Sequence, residues 1–588
     1  MTKIKQCGCT KPVIYQMLPR LFANYNANCV PFGTITQNGS GKLNDITSKV
    51  LRSIADMGVT HVWYTGVIEH AHCSDYTRYG IERDNPHVVK GQAGSPYAIK
   101  DYYDIDPDIA TDVPARIAEF ENLVKRTHSE GMKVIIDFVP NHVARCYHSD
   151  AAPKGVKDFG ASDDNTRFFA PDNNFYYIPR QQFAPSIDLT SGGDPYVEFP
   201  AKASGNDCFT AFPGRYDWYE TVKLNYGVDY GDHSLHFDPI PDTWRKMVAI
   251  LKYWARKGVD GFRCDMAHMV PTDFWRWAIP RVKSVNPDLT FIAEIYDVSL
   301  YRSYIDAGFD YLYDKVNLYD TLRAIQTGNI SAAAVTNCWQ TVDGISRHML
   351  NFLENHDEQR FASAEYAGDA DLVIPSLVIS SMIGTGAMMI YAGQELGEKA
   401  ADAEGYSGND GRTTIFDYWS IPTLRRWLNN GNPGVDQLTA GEIRLRDTYR
   451  KLLRLCNEDD AIACGGFFDL MYVNYNNPGF NPHRNFAFLR RGKDHTLLIA
   501  VNFGDTAAET AINIPLHAFE CYGIIPENAA KAKELLSGTR ATVKTFSPDT
   551  PFQTLIPAHG AVIWRIEDSA VNSKETCGDG NQSSKKRK

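Results

Sequence analysis

Four short stretches of the chain bring carboxylates, histidines and one arginine together at intervals that suit acid–base and nucleophilic chemistry. They are Asp137-Phe138-Val139-Pro140-Asn141-His142, Gly261-Phe262-Arg263-Cys264-Asp265-Met266-Ala267-His268, Phe291-Ile292-Ala293-Glu294-Ile295-Tyr296 and Asn351-Phe352-Leu353-Glu354-Asn355-His356-Asp357. In the second, alternate residues of a strand share a face, so Arg263 and Asp265 point the same way. A charged pair on a buried strand is costly unless it is paired and used. Taken singly, each stretch also reads as a structural ion pair or a strand-end cap. Four of them, in order along the chain, require a common scaffold.

The elements around them supply one. Pro241 to Gly258 has apolar side chains at Trp244, Met247, Val248, Leu251, Trp254 and Ala255, a helical spacing with one buried face. Asp242 is the expected N-cap and Gly258 the stop. A helix is likewise expected over Pro114–Glu130. Strands are expected at Val13–Pro19, Val59–Tyr64, Lys133–Pro140, Val259–Met266, Leu289–Tyr296, Phe309–Lys315, Met349–Glu354 and Ala387–Ala392. The third, Lys133 to Pro140, is a nearly continuous apolar run of the kind found in buried parallel strands. Eight strands alternating with helices predict a (β/α)₈ barrel, whose functional residues sit at the C-terminal ends of its strands. A doubly wound sheet is the alternative on pattern alone, but no glycine-rich nucleotide loop accompanies it.

Between Val143 and Gly231 the periodicity breaks down in favour of Gly, Pro, Asp and aromatic residues, too long for an ordinary loop. The expected organisation is therefore a barrel from residues 10–142 and 232–460, an inserted small domain at 143–231, a C-terminal all-β domain at 461–568 and a disordered tail at 569–588. The β-rich part is read from strands at Phe467–Val473, Asn485–Arg491, Leu497–Val501, Thr510–Ile514 and Ala561–Ile566.

Composition excludes several classes. The 588 residues are 43% hydrophobic with a net charge of −11 and no basic footprint, so no nucleic-acid partner is expected. No apolar run is long enough for a membrane span. Twelve scattered cysteines and no visible secretory signal point to a cytoplasmic protein. Cys7-Gly8-Cys9 is weak as a metal motif, and Lys585–Lys588 reads as a solvated end. Oligomeric state is not readable.

The four stretches, their order and the insertion after the third strand resemble the α-amylase superfamily of retaining glycoside hydrolases, over roughly residues 10–460. The resemblance implies that Asp265 is the nucleophile, Glu294 the general acid/base and Asp357 the third carboxylate, gripping sugar hydroxyls. It implies substrate-binding roles for Arg263, His142, His356, Tyr97 and His268, with Arg263 keeping Asp265 ionised and desolvation keeping Glu294 protonated. Asp137 is expected to orient its neighbours. The activity implied is cleavage of α-1,4-glucosidic bonds in maltodextrins or starch fragments. A 4-α-glucanotransferase, maltogenic amylase or cyclomaltodextrinase is the alternative, because the same covalent intermediate serves hydrolysis and transfer. A non-catalytic α-glucan-binding protein is disfavoured, since all three carboxylates are present.

One departure bears on cofactors. Many members hold calcium between barrel and insertion, through an asparagine matching Asn141, an aspartate and a histidine. Here Lys223, in Thr221-Val222-Lys223-Leu224-Asn225, replaces the aspartate and Met269 the histidine. No calcium is expected there, and no other cofactor. The Lys-Leu-Asn form is similar to that of the neopullulanase and cyclomaltodextrinase group. The loop Gly397–Tyr418 is expected to shape the substrate groove.

Overall fold

The computed structural model describes residues 10–190, 194–538 and 542–568. Its centre is a closed parallel barrel of eight strands, each beside its sequence neighbour: β1 Val13–Met17, β2 His61–Tyr64, β3 Lys133–Phe138, β4 Gly261–Cys264, β5 Thr290–Ala293, β6 Tyr311–Tyr313, β7 Met349–Asn351 and β8 Ala387–Tyr391. The side chains sort by alternation. Ile14, Trp63, Ile135, Ile292, Leu350 and Met389 fill the barrel interior as one cluster. Phe262 and Cys264, on the other face of β4, join the larger core between strands and helices. That alternation turns Arg263 inward, where it is fully buried.

Register places the chemistry. On β3 and β4, Asp137 lies opposite Arg263; on β4 and β5, Cys264 lies opposite Ala293. Asp265 and Glu294 thus emerge one residue beyond adjacent strands. Backbone bonds keep the ends stepped: Asp265 N donates to Phe138 O at 2.9 Å and Glu294 N to Cys264 O at 3.1 Å.

The helix before β4 spans Asp242–Arg256. Pro241 is its N-cap and Asp242 its first helical residue, so the cap lies one position earlier than expected. Several strands are shorter than the sequence suggested: β4, β5 and β7 end at Cys264, Ala293 and Asn351, before the expected Met266, Tyr296 and Glu354. The segment after β3 forms small antiparallel pairs. His142–Ala144 pairs with Thr221–Lys223, and Tyr177–Ile178 with Ala201–Lys202, around a core including Phe183, Ala211 and Tyr219.

Beyond the helix Ala440–Glu458, strands Gly466–Asp469, Asn485–Arg491, His495–Asn502, Gly560–Glu567, Glu527–Glu534 and Thr542–Phe546 form a six-stranded sheet in that order, and Ala508–Ile512 pairs with Phe552–Ile556. The expected strand Phe467–Val473 is half helical. Asp469 accepts a bond from Met471 N at 2.7 Å and starts the turn Met471–Asn474. Three strands in this region, Glu527–Glu534, Thr542–Phe546 and Phe552–Ile556, were not anticipated. No helix among the described residues is long and apolar enough to cross a membrane. Cys7–Cys9 and residues 569–588, with the tail expected there, lie outside the described residues.

Candidate active site

At the C-terminal mouth of the barrel lies a cavity of about 330 Å³, lined in part by Tyr97, His142, Asp265, Glu294, Tyr296 and Asp357. Arg263 organises its floor. Its Nη1 contacts Asp265 Oδ1 at 2.8 Å and Asp137 Oδ1 at 3.2 Å, and its Nη2 lies 2.6 Å from Glu294 Oε1. The last contact is ionic and off the hydrogen-bond direction, since Nη2 has no aligned acceptor. The guanidinium also lies over the rings of Trp63, Tyr97 and Tyr313, at 5.2–5.6 Å. Trp63 Nε1 donates to Asp137 Oδ2 at 3.0 Å. Asp137 is thus tied on both oxygens beneath the cavity.

Both Glu294 oxygens accept hydrogen bonds, from Met266 N at 2.7 Å and from Tyr296 Oη at 2.6 Å. The first depends on a left-handed backbone at Met266, φ +43°, a conformation uncommon for a side chain of this kind. That turn aims the amide following Asp265 back at Glu294. Strain spent at such a position is a mark of functional sites.

Burial pushes His356 and His142 toward the neutral form. Gln16 Nε2 donates to His356 Nδ1 at 2.8 Å, which assigns the ring proton to Nε2, facing Tyr97 Oη and Asp357 Oδ2. Burial, then Arg263, pushes His356 well below the usual imidazole range. Tyr97 stacks on its ring with centroids 5.1 Å apart. His142 is pushed down to about 3, by burial and then by Lys223 and Lys90. It lies against Trp218 at 5.1 Å.

Asp265 is raised well above the carboxylate range, by burial first and then by Glu294. Arg263 acts in the opposite direction, behind burial and Glu294. Asp137 is raised to about 6, again mainly by burial. Asp357 is the most open carboxylate, its side chain 42% exposed. Its carboxyl is also raised, by the enclosing site and then by Glu294, although water at its exposed side screens both effects.

The structure brings Asp265, Glu294, Asp357, Tyr97 and His142 to the cavity wall, with Arg263 and His356 directly behind them. His268 stands apart from these. It lies in the turn Ala267–Met269 with its ring edge-on to Tyr296 at 5.9 Å. Other wall residues went unmarked in the sequence. Lys90 pairs with Glu220 at 2.8 Å, and Trp218, Ile415 and Phe416 complete the rim. Ile415 and Phe416 belong to the loop Gly397–Tyr418. Trp218 and Glu220 immediately precede the Thr221–Asn225 motif, the one signal that pointed toward them.

At the position of the family's calcium, Lys223 Nζ is surrounded by oxygens. It donates to the Asn141 side-chain oxygen, lies 2.6 Å from Asp207 Oδ1 and donates to Met269 O at 3.2 Å. A buried ammonium already at the centre of this donor set does not fit calcium, which needs those oxygens for itself.

The sequence matches the family described as Alpha amylase, catalytic domain, over residues 16–419. Alpha-amylase 3 of Dictyoglomus thermophilum is 25% identical over 390 residues, 63% of this chain and 68% of that protein. Neopullulanase 2 of Thermoactinomyces vulgaris is 23% identical over 406 residues, 66% of this chain but 57% of that protein, so the match spans little more than half of its length. Among solved structures, a noncanonic maltogenic α-amylase from Thermotoga neapolitana shares the fold, with a TM-score of 0.60 at 19% identity over 95% of this chain and 99% of that one.

Proposed function

The chain belongs to the α-amylase family of glycoside hydrolases, and from that premise we propose that it cleaves α-1,4-glucosidic bonds of maltodextrins or starch fragments with retention of configuration. The observation that carries this reading is the Arg263 guanidinium, which joins Asp265 and Glu294 at the floor of one cavity. Asp265 attacks the anomeric carbon while Glu294 gives a proton to the departing glycosidic oxygen. Glu294 then takes a proton from water, which displaces Asp265 from the sugar and returns the carboxylate. Asp357 and His356 hold sugar hydroxyls, and Tyr97 and Trp218 offer apolar faces to the ring. The printed names of its relatives, α-amylase, neopullulanase and maltogenic α-amylase, support an α-glucan substrate. The reaction needs no calcium beside Asn141, because the Lys223 charge stands there. The scattered cysteines favour a reducing, cytoplasmic setting.

Product analysis tests this. Purified protein is incubated, with and without a chelator, with maltoheptaose, pullulan, β-cyclodextrin, sucrose and trehalose, beside D265N. Shorter maltooligosaccharides from wild type alone, unaffected by the chelator, are expected. Longer oligosaccharides would move the assignment to a glucanotransferase, and turnover of only sucrose or trehalose would reject the substrate class. Silence on all five would leave a glucan-binding protein.

A further inference from the structure

Away from the cavity, a second knot of charge joins the excursion between β2 and β3 to the inserted segment. Glu69 lies on the strand Ile68–His70, Asp101 and Asp104 on its partner Ile99–Ile105, and Asp150 just inside the insertion. One carboxylate oxygen from each of the four lies within 4.8 Å of the others. None of the four lines the cavity.

Glu69 is the anomaly. It is fully buried, and neither of its oxygens has a hydrogen-bond partner. The cation beside it, Lys100, is 3.8 Å away and is turned toward Asp84 at 3.3 Å and the Glu82 carbonyl. A buried carboxylate left without hydrogen bonds is costly and calls for a partner. Its neighbours are held in place by other means. Asp101 accepts bonds from Tyr103 N at 2.7 Å, Ser149 Oγ at 2.6 Å and Ala151 N at 3.0 Å, and Asp104 is gripped by Arg116 Nε at 2.9 Å. With Asp84 counted beside them, five carboxylates among the described residues face only Lys100 and Arg116, an excess of negative charge.

We propose that Glu69, Asp101, Asp104 and Asp150 bind one divalent cation of the calcium class. The donors are all oxygen, with no imidazole or thiolate among them, which selects a hard ion. Two positive charges offset most of that excess. Asp150, with its side chain 23% exposed, opens the group to solvent and gives the ion a route in. Because Asp150 comes from the inserted segment and Glu69 from the barrel side, the ion pins one to the other. It does so at a different place from Lys223, whose charge performs that service beside Asn141. The site is independent of the proposed reaction.

The experiment uses full-length protein stripped by a chelator and dialysed, then titrated calorimetrically with calcium chloride or magnesium chloride, with thermal melts in parallel. Wild type is expected to take up one calcium with a dissociation constant at or below about 1 mM, to bind magnesium more weakly, and to melt higher with calcium. E69Q and the rim variant D150N are expected to lose at least about tenfold in calcium affinity and most of the calcium-dependent rise in Tm. D150N decides the matter if E69Q fails to fold. No calcium uptake by wild type, or uptake unchanged in both variants, overturns the proposal. A metal-free E69Q that melts above wild type, with calcium affecting neither protein, would mean that Glu69 is held by a proton instead.

Discussion

The value of Arg263 lies in its shape. Its two terminal nitrogens meet Asp265 and Glu294 separately, at 2.8 Å and 2.6 Å, while Nη1 also meets Asp137. Lysine has one charged point and cannot hold both carboxylates at once. R263K is therefore expected to lower kcat by about 10²–10³-fold, with a smaller change in KM, because what it loses is the preorganised charge around the reacting groups. Glu294 makes a separate test. If it supplies the proton to the leaving oxygen, E294Q should lose about 10²–10⁴-fold on maltooligosaccharides. On α-maltosyl fluoride, whose leaving group needs no proton, the loss in the first step should nearly vanish. An equal loss on both substrates would assign Glu294 a structural part only.

Among the elements, the segment after β6 shows how burial and ionisation compete. Asp314 is buried at the start of the turn Lys315–Tyr319, where it accepts bonds from Leu318 N and Asn317 Nδ2, both at 3.3 Å. These bonds favour the charged form, but burial outweighs them and lifts its carboxyl from 3.8 to about 6. A raised folded value means the folded state holds the proton more tightly than the unfolded one. The stability this provides is complete below about pH 4 and is lost as pH rises through about 6, where the buried group must ionise. Asparagine has no such cost. In urea titrations, D314N should gain on wild type by up to about 3 kcal/mol between pH 4 and pH 7, then level off. A difference independent of pH would mean that the bonds to the turn, and not ionisation, set the contribution of Asp314.

The same scale shows what was legible in the sequence. The barrel strands were, because β3 and its neighbours are apolar runs that a polar residue ends at the site itself. Asp137, Asp265 and Glu294 follow directly from that pattern and from register. Glu527–Glu534 was not legible. It reads as Ala, Lys and Glu, poor strand formers, and it pairs because Ala530, Ala532 and Glu534 face inward on a sheet already built. Lys90, Trp218 and Glu220 were equally hidden. They come from aperiodic loops, and long-range pairing such as that of His142 with Lys223 brings them to the cavity.

At the scale of the molecule, the C-terminal sheet is joined to the barrel through a buried cation held by backbone carbonyls. Arg490, on the strand Asn485–Arg491, donates to the carbonyls of Ala461, Ile462 and Gly465 at 2.9–3.2 Å and to Ile383 O at 3.2 Å. Ile383 caps the helix Ile374–Met382, which leads to β8, so one side chain ties sheet and barrel together. The four carbonyls and the nearby Tyr522, Cys464 and Asp459 do not outweigh its desolvation, and burial lowers the guanidinium to about 10. R490M keeps the apolar stem but leaves four carbonyls short of a donor, and hydrogen bonds to a charged group contribute about 1.5–3 kcal/mol each at most. The expected result is a loss of about 3–5 kcal/mol in stability, with kcat and KM on maltoheptaose unchanged well below the new melting temperature. That outcome would make the C-terminal sheet a cover for the barrel. A rise in KM in folded R490M would instead make the sheet part of glucan binding, because loosening it would then disturb substrate and not only stability.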